Sequence, residues 1–249
     1  CKKKKIIFMT SVFGEESLNI SRNLSPIIKI ASFESNYFEL FNKLIKLKKP
    51  IIISTGCSTE KDIISIKNFF RKKSYNNFSI LHCGSAYPLK LNQVDLSYIR
   101  RLKKIFPNNI IGYSDHTKSI STSIGAVALG AKIIEKHITI SRRDKAPDSF
   151  FSLEKEDLRK MVNGIREIEK SIGKSKKIIY KSISEMQRGR RSYYSQKNLK
   201  KGEIIKSGHF KALRPYVKNT LSAESYFNFM GKKLKKDVKI LNPLKPDCI

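Results

Sequence analysis

Six short apolar runs mark the first half of the chain: Ile6–Met9, Ile27–Ala31, Ile51–Ser54, Phe78–Cys83, Ile110–Tyr113 and Lys132–His137. They are continuous rather than alternating, as expected for parallel strands covered on both faces. Their ends, at 9, 31, 54, 83, 113 and 137, lie 22 to 30 residues apart, the length of one strand-plus-helix unit. Between them, amphipathic segments fall near Glu15–Leu24, Phe38–Leu47, Thr59–Arg71, Asp95–Phe106 and Ile120–Leu129. This alternation predicts a parallel α/β architecture. One more helix is predicted from about Leu153 to Ile172, with Leu158, Met161, Val162, Ile165, Ile168 and Ile172 on one core-facing stripe. Ser152 is the expected N-cap, Glu154, Glu156 and Asp157 place acid in the first turn, and Gly173 is the expected stop.

The pattern then changes. Residues 174–191 are polar and basic and read as a linker. From 192 to 249, short apolar pieces broken by Gly and Pro predict a small β-rich domain: Ser192–Gln196, Asn198–Ile205, Phe210–Pro215, Gly231–Lys233 and Asp237–Leu244. The expected organisation is a first domain over 1–173, a linker over 174–191 and a second domain over 192–249.

Composition changes this picture little. With 249 residues and 40% hydrophobic content the chain can bury a real core. No run approaches the ~18 apolar residues of a membrane span, and no secretory leader is evident. The net charge of +30 is extreme and raises nucleic-acid binding as a rival reading. The lysines, however, are spread over every predicted helix rather than gathered beside aromatic platforms, so neither a nucleic-acid nor a membrane partner is expected. The four cysteines, at 1, 57, 83 and 248, form no Cys-x-x-Cys pair. Reduced thiols of a cytoplasmic protein are the simplest reading.

Candidate chemistry gathers at strand ends. His116 and His137 close successive strands. In a β/α barrel both would face the same mouth, where active sites sit. Neighbouring strands are about 4.8 Å apart, so two imidazoles at roughly 2.1 Å could share a metal. Lys29 interrupts a strand that should be buried, and a buried ammonium needs an anionic partner. Ser11, Ser32, Ser54, Ser85 and Ser114 all stand at or just after strand ends, where hydroxyls and N–H groups bind phosphate and carboxylate oxygens.

These residues sit in motifs. Gly-Tyr-Ser-Asp-His-Thr at 112–117, Glu-Lys-His at 135–137, Lys-Ile-Ala-Ser at 29–32 and His-Cys-Gly-Ser-Ala-Tyr-Pro at 82–88 resemble the sialic acid synthase family. The resemblance implies a TIM (β/α) barrel followed by an antifreeze-like SAF domain, with this chain beginning at the third barrel strand. The fold expected here is therefore an incomplete TIM barrel, strands 3–8, plus the SAF domain. The first two strands, with a catalytic Glu and a Lys-Asp pair, are expected outside the chain, so the polypeptide alone is expected to be unstable or inactive. A split or inactive synthase is the alternative of another class.

The resemblance also implies a reaction: phosphoenolpyruvate condenses with an N-acetylated amino-sugar aldehyde to give a nonulosonic acid, releasing phosphate. Lys29 and the five serines would hold phosphoenolpyruvate. His116 and His137 would bind Mn²⁺ or Mg²⁺, with Glu135 catalytic and ordering a metal-bound water. Tyr87 and Asp148 would hold the sugar. Arg214 would reach the sugar in the other subunit of a domain-swapped homodimer. Lys-Ile-Ala-Ser-Phe-Glu at 29–34 and Pro-Asp-Ser-Phe-Phe-Ser-Leu at 147–153 look more like pseudaminic acid synthases than the N-acetylneuraminate branch.

Overall fold

The computed structural model describes residues 1–173 and 183–249. They divide into two units, 1–175 and 176–249.

The first unit is a curled, parallel half-barrel, an incomplete TIM barrel. Its six strands run β1 (Thr10–Ser11), β2 (Ile28–Ile30), β3 (Ile51–Ser54), β4 (Phe78–Cys83), β5 (Ile110–Asp115) and β6 (Ile133–Lys136), paired in sequence order. β-Branched isoleucines fill the central strands, where packing on both faces favours them. Gly112 in β5 allows an unusually close approach: a Cβ there would stand 2.7 Å from the Ile133 carbonyl oxygen and would also meet the Leu81 side chain.

The helices are α1 (Glu15–Leu24), α2 (Phe38–Lys46), α3 (Glu60–Lys72), α4 (Tyr98–Ile105), α5 (Ser121–Ala128) and α6 (Lys155–Ser171). α1 to α5 lie between successive strands, near the amphipathic segments, and α6 follows β6. α3 starts at a reciprocal cap: Thr59 Oγ1 accepts from Asp62 N (3.3 Å) and Asp62 Oδ2 accepts from Thr59 N (2.8 Å). The core joins strand isoleucines to an aromatic cluster in which Phe70 stacks on Phe78 at 4.2 Å and on Phe41 at 5.3 Å.

Three expectations are corrected here. Ile6–Met9 is exposed and is not a strand; β1 forms later, at Thr10–Ser11, where it meets Ile28 and Lys29. Ser152 does not cap α6: the N-cap is Glu154, and the Ser152 hydroxyl donates to Asp148 O (2.7 Å). On the α6 stripe Met161 is buried, but Val162 and Ile172 are exposed, so only part of it packs as core.

The second unit holds α7 (Ile183–Gly189), an antiparallel pair β7 (Ser192–Ser195) and β8 (Phe210–Leu213), and α8 (Tyr226–Phe229). Single bridges tie Leu199 to Val238, Ile204 to Lys233 and Tyr194 to Pro243. Its separate core contains Tyr193, Leu199, Ile205, Phe229, Leu234, Val238 and Leu244. α7 occupies part of the stretch expected as linker: Glu185, Gln187 and Arg188 are polar yet good helix formers. Residues 174–182 of that expected linker lie outside the described residues. No described helix is long and apolar enough to cross a membrane.

Candidate active site

Parallel strands bring their C-terminal ends to one side of the sheet, and alternate residues point to one face. Here that geometry assembles a cavity of about 190 Å³ lined by Ser11, Lys29, Ser32, Ser54, Tyr87, Ser114, His116, Glu135 and His137, together with Ala31 and Cys83. Every strand from β1 to β6 contributes a side chain on itself or within two residues of its end.

Lys29 is 5% exposed. Its ammonium donates to Ser54 Oγ at 2.8 Å and Ile30 O at 3.1 Å, and lies 3.4 Å from Glu135 Oε2. Glu135 in turn accepts from Ser114 Oγ at 2.6 Å. A buried cation thus meets a carboxylate across the cavity, with the Ser54 and Ser114 hydroxyls and the Ile30 carbonyl as further hydrogen-bond partners.

His116 and His137 stand side by side, ring centroids 5.3 Å apart at 69°. His116 Nδ1 is 2.6 Å from Gly84 O. A carbonyl can only accept, so Nδ1 carries the proton and Nε2 keeps its lone pair. Burial, followed by the neighbouring His137, pushes the His116 pKa below its ordinary value and keeps the ring neutral. Tyr87 stacks on His116 at 4.1 Å, and Phe151 packs 5.1 Å from His137. Among the described residues, no three His, Cys, Asp or Glu side chains gather as a metal-holding group; the imidazoles supply two donors.

Two expected site residues of the first unit stand apart from the cavity lining. Asp148 lies beside it, its Oδ2 3.5 Å from His137 Nδ1. Ser85 is turned to Cys57, whose Sγ is 3.2 Å from its hydroxyl. Arg214 belongs to the second unit, where its Nε donates to Gly189 O at 3.0 Å.

Residues 1–177 match the NeuB family. The chain belongs to the NeuB family. It is 34% identical over 241 residues to a pseudaminic acid synthase of Campylobacter jejuni, covering 96% of this chain and 69% of that one. It is 37% identical over 245 residues to an N,N′-diacetyllegionaminic acid synthase of the same organism, covering 96% and 72%. Among solved structures, an N-acetylneuraminic acid synthetase of Leptospira borgpetersenii in complex with citrate matches with a TM-score of 0.67 and 34% identity, over 74% of this chain and 64% of that one.

In this NeuB chain the structure adds residues that the sequence reading passed over. Cys83 lines the cavity; burial raises its thiol pKa, so it stays protonated. Its place at the end of an apolar strand was the available signal. Glu34 has a buried Oε2 with no hydrogen-bond partner, and burial raises its pKa against the pull of Lys29. An orphaned carboxyl beside a buried ammonium is a candidate for chemistry. Its signal was an acid two residues past the Ser32 motif position. Asp115 and Lys136, each next to a site histidine, form a buried ion pair.

Proposed function

We propose that this chain, as part of a closed eight-stranded barrel, performs the phosphoenolpyruvate-dependent condensation of an N-acetylated amino-sugar aldehyde to a nonulosonic acid, with pseudaminic acid as the product. The observation that carries the reading is the Lys29 ammonium, buried in the same small cavity as two imidazoles, Glu135 and four serine hydroxyls. That set suits an anion bearing phosphate and carboxylate next to a carbonyl that must be polarised.

The residues have distinct tasks. Lys29, Ser11, Ser32, Ser54 and Ser114 hold the enol phosphate, with Ser85 at its edge, so that carbon 3 faces the aldehyde. Water adds at carbon 2 and phosphate leaves. Glu135, already fixed by Ser114 and Lys29, orders a water or moves a proton at that step. Tyr87 packs on the sugar and Asp148 accepts from its hydroxyls. The same reading carries a homodimer in which Arg214 of one protomer contacts the sugar bound by its partner.

The imidazole pair fits a divalent ion, Mn²⁺ or Mg²⁺. Two rings bound through nitrogen at ~2.1 Å have centroids no more than ~6.5 Å apart, and the 5.3 Å seen lies inside that limit. His116 has its Nε2 lone pair free of the Gly84 bond. When bound, such an ion supplies Lewis acidity at the aldehyde oxygen.

The preference for the pseudaminate precursor, a trideoxy-diacetamido altrose, rests on the motifs at 29–34 and 147–153. The 37% identity to a legionaminate synthase supports a second reading with that enzyme's sugar, and N-acetylmannosamine is the third. Phosphate release from phosphoenolpyruvate with each sugar in turn, with and without Mn²⁺, tests this. Release with the altrose alone is expected. Release with none of the three, by this chain supplied with the two further strands of a closed barrel and shown to be folded, contradicts the synthase reading.

A further inference from the structure

The face of β5 and β6 turned away from the cavity carries an ion pair that the proposed chemistry does not use. Asp115 is fully buried and the Lys136 side chain is 4% exposed; Nζ stands 3.0 Å from Oδ2. The two residues are register partners, and theirs is the last rung joining the two strands. Each comes immediately before a cavity histidine, His116 and His137.

The pair also grips the chain beyond that rung. Asp115 Oδ1 accepts from Thr117 N at 2.9 Å, and Oδ2 accepts from Thr122 Oγ1 at 2.7 Å and Ser123 Oγ at 2.6 Å. Lys136 Nζ donates to Thr117 O at 2.6 Å and Ser119 O at 3.0 Å. Both charges therefore hold the backbone that follows His116. Past the rung, the two histidines are tied to different segments: His116 O accepts from Leu89 N and His137 O from Leu153 N. What links the two strand ends directly is the Asp115–Lys136 ion pair together with the Lys136 bonds to Thr117 O and Ser119 O.

We propose that Asp115 and Lys136 are positioning residues: their ion pair sets the spacing of His116 and His137 and, through it, the affinity of the imidazole pair for a divalent ion. This rests on the metal reading above. A strut serving only the fold would stabilise the chain without tuning that affinity. Polar partners behind metal-binding histidines typically change affinity by 10–100-fold.

Removing one partner would leave a buried charge uncompensated and damage the fold, whereas removing both need not. The test is therefore the double variant Asp115→Asn/Lys136→Met in the full chain, with melting temperature checked first. Two readouts follow: the Mn²⁺ dissociation constant from electron paramagnetic resonance titration, and the His116–His137 centroid spacing in metal-free crystals. A dissociation constant raised about 10–100-fold with a spacing changed from 5.3 Å is expected. Wild-type affinity with wild-type spacing overturns the proposal. If the unaltered chain binds no Mn²⁺, the metal reading falls and the spacing alone decides the strut. If the double variant does not fold, Lys136→Arg serves. It keeps the charge but puts a longer, planar group against Thr117 O and Ser119 O, and is expected to weaken Mn²⁺ binding and shift the spacing. Wild-type values in that variant overturn the proposal.

Discussion

Lys29→Met separates what the buried ammonium does for the fold from what it does for the site. Methionine keeps the length of the stem and removes the charge. For stability, the substitution removes the hydrogen bonds to Ser54 at 2.8 Å and to Ile30 O at 3.1 Å and the contact with Glu135 at 3.4 Å. A hydrogen bond from a charged group contributes roughly 1.5–3 kcal/mol. The Glu135 contact contributes less, because that side chain is 36% exposed and solvent screens it. Against this, the chain no longer desolvates an ammonium, which costs several kcal/mol in an interior. The two sides nearly cancel, so the melting temperature should move by no more than ~5 °C. For catalysis nothing cancels. A preorganised charge facing a phosphate and a carboxylate contributes about 3–4 kcal/mol, which is roughly 10²–10³ in kcat/KM. The assay is phosphate release, with the chain supplied with the two further strands of a closed barrel, at saturating sugar with phosphoenolpyruvate varied, beside calorimetric binding of phosphoenolpyruvate and a thermal melt. A folded Lys29→Met chain with kcat/KM within about fivefold of the parent would refute the assignment of Lys29 to the anion.

Three further outcomes are expected. In Gly56→Ala the new Cβ would stand 2.8 Å from Ser85 Oγ and 3.0 Å from both Cys83 Sγ and Ser32 Oγ; overpacking of this kind costs about 1–3 kcal/mol, and the KM for phosphoenolpyruvate should rise more than kcat falls. Asp115 keeps its carboxyl below the usual range because Lys136 and its hydrogen-bond donors outweigh the raising effect of burial. The unfolded chain therefore takes up a proton at a higher pH than the folded one, and stability should fall as pH drops below about 4; acid melts of the double variant Asp115→Asn/Lys136→Met should show a shallower slope there. Alkylation at pH 8 should reach exposed Cys57 well before Cys83, whose buried thiol resists ionisation; peptide mass mapping reads the order.

Strands β2 to β5 were legible because burial writes near-continuous apolar runs into the sequence, and β6, half-buried throughout, through Ile133 and Ile134 ahead of Glu135. The same signal misplaced the first strand. Ile6–Met9 is as apolar as the others, but pairing falls at Thr10 and Ser11, and hydrophobicity alone does not report register. The start of α4 was set three residues early, at Asp95, which adopts a left-handed φ of 41° ahead of the helix. The site was legible where a polar residue broke an apolar strand or closed it, as at Lys29, His116, Glu135 and His137. It was not legible where the decisive fact is a contact between distant segments. Ser85 looks like the other strand-end serines but meets Cys57 instead of the cavity. Asp115 and Lys136 read as ordinary motif neighbours, and only the register of β5 against β6 makes them a pair.

The most direct measurement is diffraction from crystals holding Mn²⁺ and phosphoenolpyruvate, recorded at the manganese edge. One anomalous peak touching both His116 and His137, with the phosphate of phosphoenolpyruvate against Lys29 and Ser54, is the expected result. A peak away from the two imidazoles, or phosphoenolpyruvate bound without contact to Lys29, would contradict it.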